Sequence, residues 1–241
     1  MEFNTLMAKR ALGMAQTRDF SDWAENLLAL GCDAENVAIL AGFGLEHSPD
    51  SYEIEVYFKK CVDELGLVLL EDRVAIFNYV RELAGNISAG IIHPRTGLES
   101  LKNFWVATDD DEPLYRIWDE LAEDICALGD YDGYYLWNTG LLEENVDEFI
   151  VKVARQFLQL CESDLPEDFF SLCACSDCGH IGKAQLIRID LPWLPEKLFK
   201  LIYRKAPVFK WVCGHCLHPQ IKNMFDYEGR KLYLESQIAK I

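Results

Sequence analysis

Cys175-Ser176-Asp177-Cys178-Gly179-His180 and Cys213-Gly214-His215-Cys216-Leu217-His218 are the stretches whose reading decides the fold. Each opens with a C-x-x-C pair, and 34 residues (179–212) separate the pairs. One C-x-x-C says little. Two in one chain can place four thiolates, Cys175, Cys178, Cys213 and Cys216, on one tetrahedral ion. Zn²⁺ is borderline soft and favours thiolate sulfur, and four cysteines close its shell with no position left for water. One structural Zn²⁺ is expected, and zinc-dependent hydrolysis is not. The usual separation is about 15–20 residues, so the connection between the pairs carries an insertion.

Other ligand sets stay open. His180 and His218 each stand two residues after the second cysteine of a pair, His215 lies inside the second pair, and Cys173 adjoins the first. Three cysteines and one histidine would be the intermediate case; otherwise the histidines are turn residues or donors behind the ligands. Cys213-Gly214-His215-Cys216 also resembles the redox motif of protein disulfide isomerases, which makes a dithiol oxidoreductase using Cys213 and Cys216 an alternative. The context departs from that family, because Val212 separates Trp211 from Cys213 and Pro219 follows where a helix would continue.

The chain has 241 residues, half of them hydrophobic, enough for one large or two unequal domains. No apolar run reaches the roughly 18 residues of a membrane span. The opening Met1–Arg10 has no apolar core or cleavage pattern, which argues against secretion; Met7 offers an alternative start. Nine cysteines, five of them outside the paired turns, fit a reducing cytoplasm rather than a disulfide framework. Charge is uneven. Residues 1–165 hold 12 Lys+Arg against 32 Asp+Glu, a net of −20, whereas residues 166–241 hold 11 against 8, a net of +3. The acidic part repels nucleic acid and membrane surfaces and would attract a basic protein.

Apolar residues recur at helical spacing over residues 17–161. Trp23, Leu27, Leu28 and Leu30 stripe a helix closed by Gly31; Asp33 starts a shorter one ended by Gly42 and Gly44. Further helices run through Ile54–Leu65, Glu71–Leu83 (Val74, Phe77 and Val80 on one face), Pro94–Trp105, Pro113–Leu128 and Val146–Cys161, with Gly97 a weak point in the fifth. Asp109-Asp110-Asp111-Glu112 reads as the acidic first turn of the sixth helix rather than a calcium loop. Tyr134, Tyr135 and Trp137 read as core, and His47 and His93 as surface. After residue 161 the period changes: strands are expected at Phe169–Cys173, His180–Asp190 and Val208–Val212, a helix or strand at Glu196–Lys205, and a hairpin over Met224–Leu234 around Glu228-Gly229.

These patterns describe an α+β chain. Its parts are a 1–16 N-terminal extension, an acidic all-α domain of about seven helices over 17–161, a linker at 162–168, and a small β-rich domain over 169–241. The last resembles a zinc ribbon, in which two cysteine-bearing turns sit at the ends of small antiparallel strands. The front domain resembles small, acidic, helical bacterial proteins of unassigned function in its Trp23–Gly31 helix, Asp33, Leu40-Ala41-Gly42, Phe58–Gly66 and Glu144–Ile150. Some such proteins are immunity partners of basic toxins, which implies a basic protein partner and carries no site residues. No P-loop, G-x-G-x-x-G, H-E-x-x-H or G-x-S-x-G motif occurs. A cytoplasmic, zinc-binding, non-enzymatic interaction protein is therefore expected. The alternative class is nucleic-acid binding through the C-terminal domain only, by Lys197, Lys200, Arg204, Lys205 and Lys210 interleaved with Phe199, Tyr203 and Trp211.

Overall fold

The computed structural model describes residues 1–102, 104–108, 112–130 and 137–238. Asp109-Asp110-Asp111, and Tyr134 and Tyr135, lie outside the described residues. The architecture is α+β, and no helix among the described residues is long and apolar enough to cross a membrane. The chain divides into two compact units, Met1–Leu83 and Ala84–Ile241.

The first unit contains α1 (Phe3–Ala11), α2 (Thr17–Ala29), α3 (Glu35–Gly42), α4 (Ser51–Glu64) and most of α5 (Asp72–Ser88). The starts of α2 and α4 use side-chain oxygens on otherwise unsatisfied N–H groups: Asp19 accepts from Gln16 N–H at 2.8 Å, and Asp50 accepts from Tyr52 N–H at 2.9 Å. Phe58 of α4 is the centre of the core, with Phe20 and Trp23 of α2 edge-on to it at 5.1 and 5.5 Å. Residues 3–11 form a helix for which the sequence reading has no counterpart, and its Leu6 and Met7 are buried in the same core. The expected stripe of α2 needs one correction. Leu30 is 77% exposed, because the helix ends at Ala29 and Leu30 falls past the last buried turn. On α5 Val80 is buried as its spacing predicts, but Val74 is 42% exposed and Phe77 only half-buried, and Ala75, Ile76, Leu83, Ala84 and Ile87 fill the buried face instead.

The second unit holds α6 (Pro94–Leu101), α7 (Phe104–Ala107), α8 (Arg116–Asp130), α9 (Val146–Cys161), a four-stranded sheet and two further helices, α10 (Glu196–Tyr203) and α11 (Tyr227–Ile238). The helix expected over Pro94–Trp105 stops at Leu101, where Lys102 turns to extended backbone. Gly97 is there for space rather than as a weakness: a Cβ would stand 2.4 Å from Ile87 Cγ1. On α9 the stripe Phe149, Ile150, Val153, Phe157 and Leu160 is buried as its spacing predicts, with Trp118 of α8 against Phe157 at 5.2 Å.

The sheet consists of β1 (Leu172–Cys175), β2 (Ile181–Arg188), β3 (Phe209–Cys213) and β4 (Ile221–Asn223) in the order β3-β2-β1-β4, all antiparallel. Aromatic contacts tie it into its unit: Phe170 stacks on Phe225 at 4.9 Å, Phe169 meets Tyr233 at 4.9 Å, and Phe149 of α9 meets Tyr227 at 5.3 Å.

The hairpin expected over Met224–Leu234 is instead the helix α11. Asp226 starts it by accepting from Glu228 N–H at 3.0 Å, and Arg230 and Tyr233, three apart, turn inward on one face. Gly229 was the turn signal, but its role is close approach: a Cβ there would lie 2.0 Å from the Asn223 carbonyl oxygen. Backbone cannot move aside as a side-chain tip can. Gly229→Ala is expected to cost about 1–3 kcal/mol despite alanine's better helix propensity, measured as a lowered urea midpoint; an unchanged midpoint would show that the approach is slack.

Candidate metal centre

Antiparallel pairing brings the two C-x-x-C turns to the same end of the sheet. The first turn joins β1 to β2, and the second joins β3 to β4. Cys213, the last residue of β3, lies opposite Ala184 near the start of β2, and Ile221, the first of β4, lies opposite Cys175. Ser176 N–H donates to the Gln220 carbonyl at 3.0 Å, which links the turns directly.

The turns share one backbone plan. In the first, Gly179 N–H donates to the Cys175 carbonyl and Cys175 N–H donates to the His180 carbonyl, both at 3.0 Å. In the second, Leu217 N–H donates to the Cys213 carbonyl at 3.0 Å and Cys213 N–H to the His218 carbonyl at 2.8 Å. The fifth residue of each turn is left-handed: Gly179 has φ 69° and Leu217 has φ 60°. Glycine takes that conformation freely, whereas leucine does so at a cost of about 1–2 kcal/mol. The repeated fold of the turn therefore outweighs a local penalty in the second copy.

All four sulfurs lie within 4.8 Å of one another. The Cys175–Cys216 separation is 3.6 Å and the Cys178–Cys213 separation 3.8 Å. Cys175 and Cys213 are buried, Cys178 and Cys216 exposed. These four cysteines are positioned to bind a metal ion.

Their electrostatics ask for a cation. The Cys216 N–H, with help from the His215 N–H, draws the Cys213 thiol down to about 7 against the cost of lost hydration. Cys216 is pushed the other way, to about 12: the His218 N–H lowers it, but lost hydration and the Cys178, Cys175 and Cys213 sulfurs raise it more. Cys178 is raised by the same crowding, against the pull of the His180 N–H. One thiolate is comfortable in this space and each further one is repelled by it. A divalent ion at the centre removes that repulsion and favours all four thiolates.

The remaining sequence candidates stand apart from the cluster. His180 and His215 are exposed and stack on each other at 5.1 Å, 27° from parallel. His218 accepts from Gln220 N–H through Nδ1 at 3.3 Å. Cys173 is half-buried on β1, and burial raises its thiol. Among the described residues, the only group of three or more candidate ligands is the four cysteines. No helix starts at Cys213 or Cys216; the next element is β4, which deprives a dithiol redox reading of the helix N-terminus that lowers such thiols. Of the basic residues of the alternative nucleic-acid reading, Lys197 and Lys200 fall on α10, Arg204 and Lys205 directly after it and Lys210 on β3, and Lys200 is paired with Glu196 at 2.6 Å.

Sequence reading missed the N–H groups that point at the sulfurs, and also β4, a three-residue strand that has no length to show a period. It also missed a polar network in the second unit. Arg230, fully buried, donates through Nε to Gln156 Oε1 at 2.6 Å, and through its terminal nitrogens to the carbonyls of Met224 and Phe225 and to Asn138 Oδ1. Buried Asp124 accepts from the N–H groups of Trp137 and Asn138, and buried Asp226 from Thr139. Compared with protein-family models, curated proteins and solved structures, the chain matches none.

Proposed function

We propose that Cys175, Cys178, Cys213 and Cys216 hold one structural Zn²⁺ in a zinc-ribbon-like element, and that the protein is a non-enzymatic, cytoplasmic interaction protein. The observation that carries the metal is geometric. A tetrahedron with Zn–S bonds of about 2.3 Å has edges of about 3.8 Å, and the two closest sulfur pairs stand at 3.6 and 3.8 Å. The exclusively thiolate donor set suits zinc, and a closed set of four leaves no coordination site for a substrate.

The net charge of −20 over residues 1–165 supports a basic protein as the partner of the acidic helices, in the manner of an immunity-type protein. The test is capture from native-host extract on the immobilised full-length protein. A basic protein retained at low salt and released at roughly 1 M salt, where the screening length is about 3 Å, supports the reading. Capture of nothing, or of a partner indifferent to salt, overturns the partner part of it and leaves the metal part to be judged by metal content.

A further inference from the structure

β3 is an edge strand, with β2 on one side and, among the described residues, no strand on the other. In an antiparallel pair, opposite residues alternate between those that exchange hydrogen bonds and those that do not. Ile189 N–H donates to the Val208 carbonyl at 3.0 Å, which sets the phase. Ile187↔Lys210 and Gln185↔Val212 are then the bonded pairs, and Phe209 and Trp211 turn their N–H and C=O groups away from β2. The turn agrees with this phase, because Cys213, two residues on, gives its N–H to His218 rather than to β2. By this register the backbone groups of Phe209 and Trp211 are not among those bonded to β2.

The side chains beside this open edge are apolar and exposed. Phe209 is 45% and Trp211 57% exposed, and Leu186, directly opposite Trp211 and so on the same face, is 48% exposed. Lys210 projects from the other face and has no ion pair among the described residues. The connection before β3 adds Lys197, Arg204 and Lys205, also without ion pairs among the described residues.

We propose that the outer edge of β3 receives an extended segment of a partner protein, apolar and acidic at alternate positions, as a fifth strand. Residues opposite Phe209 and Trp211 share their face and meet those rings and Leu186, while the residue between them faces Lys210. Lys210 also decides against a second copy of this chain. Only Phe209 and Trp211 offer open backbone, and pairing them reciprocally with their counterparts would set Lys210 against Lys210, which is destabilising. The inference rests on the reading of the chain as an interaction protein, with the metal holding the end of β3 in place.

The probe is a capped nine-residue peptide of alternating valine and glutamate, added to full-length, metal-loaded, isotope-labelled protein. Amide exchange at Phe209 and Trp211 is expected to slow at least tenfold on binding, because strand addition engages those N–H groups and docking of side chains alone does not. Lys210→Glu is expected to weaken binding about fivefold and to favour the valine–lysine counterpart. Phe209→Pro removes an outward N–H while leaving the bonds to β2, and is expected to abolish binding with metal content and circular dichroism unchanged. Folded, metal-loaded protein whose Phe209 and Trp211 amides are unprotected at saturating peptide overturns the inference alone. So does protection that grows with protein concentration without peptide, or binding of oligothymidine in place of peptide. Protein without metal and with a disordered sheet overturns the metal reading as well.

Discussion

Purified without added zinc, the protein is expected to carry about one zinc per chain, and Cys175→Ser or Cys213→Ser to lose both the metal and the sheet. The sheet has little of its own to hold it. Its strands are three to eight residues long, and their buried apolar side chains amount to Ala174 and Val212 beside the two inner cysteines. A segment that small does not bury enough surface to offset chain entropy. Metal binding in zinc-finger peptides contributes about 10–16 kcal/mol apparent, more than a whole domain's usual stability of about 5–15 kcal/mol. Serine keeps the size of cysteine but not the soft anionic donor, so one substitution leaves three ligands and an open shell. Metal analysis, far-ultraviolet circular dichroism and limited proteolysis after residue 165 would follow the loss. Cys173→Ser is the control and should retain metal, because Cys173 stands outside the cluster. Variants that keep a full complement of metal would refute the assignment. A metal-free protein in which Cys213 and Cys216 cycle between thiol and disulfide would put redox chemistry in its place.

Arg230→Met is expected to destabilise the second unit by about 3 kcal/mol. The guanidinium is 1% exposed, and burial pulls its pKa down to about 10, against the raising pull of Asp226, Tyr227 and Asp124. It therefore remains charged at neutral pH. Methionine fills similar space but leaves Gln156 Oε1, Asn138 Oδ1 and two backbone carbonyls without their donor, and removes the guanidinium charge near Asp124 and Asp226, of which Asp226 keeps its ion pair with Lys222 at 3.2 Å. Arg230→Lys recovers only part of the loss, because an ammonium cannot reproduce the fork that reaches Gln156, Asn138 and the carbonyls together. Denaturant unfolding of the metal-loaded protein reads the effect. A shift below about 1 kcal/mol would mean that water replaces the arginine and that the network is not a fastening point.

Much of the centre was legible because its signal is chemical and local. Cysteines at C-x-x-C spacing are uncommon, and each pair needs only its own turn to form. The helices of α9 and α4 were legible because Phe149, Ile150, Val153, Phe157 and Ile54, Phe58, Cys61, Val62 keep one period over several turns. The sheet strands β2 and β3 fell where expected. Glu228-Gly229 misled, since a glycine at a tight packing contact has the same letter as a glycine in a turn. Lys102 shows the converse: nothing in Leu101-Lys102-Asn103 marks a stop, and the change in backbone direction there breaks an otherwise periodic run. The unit division between Leu83 and Ala84 lies inside α5, where Gly85 is carried within a continuous helix and so marks no boundary in the sequence.

By itself, then, the sequence determined the four thiols, the α+β class, the acidic bias of residues 1–165 and the longer helical stripes, because each is a property of composition or of short-range period. Tertiary structure decided the rest. Antiparallel register brought two turns 34 residues apart to one end of a sheet, with their four sulfurs within 4.8 Å of one another. Burial turned Arg230 from a surface-type cation into the hub of a polar network, and strand order left Phe209 and Trp211 on an open edge. These depend on which distant segments meet, and a one-dimensional pattern does not encode that where the contacts are polar, short, or a single glycine's width.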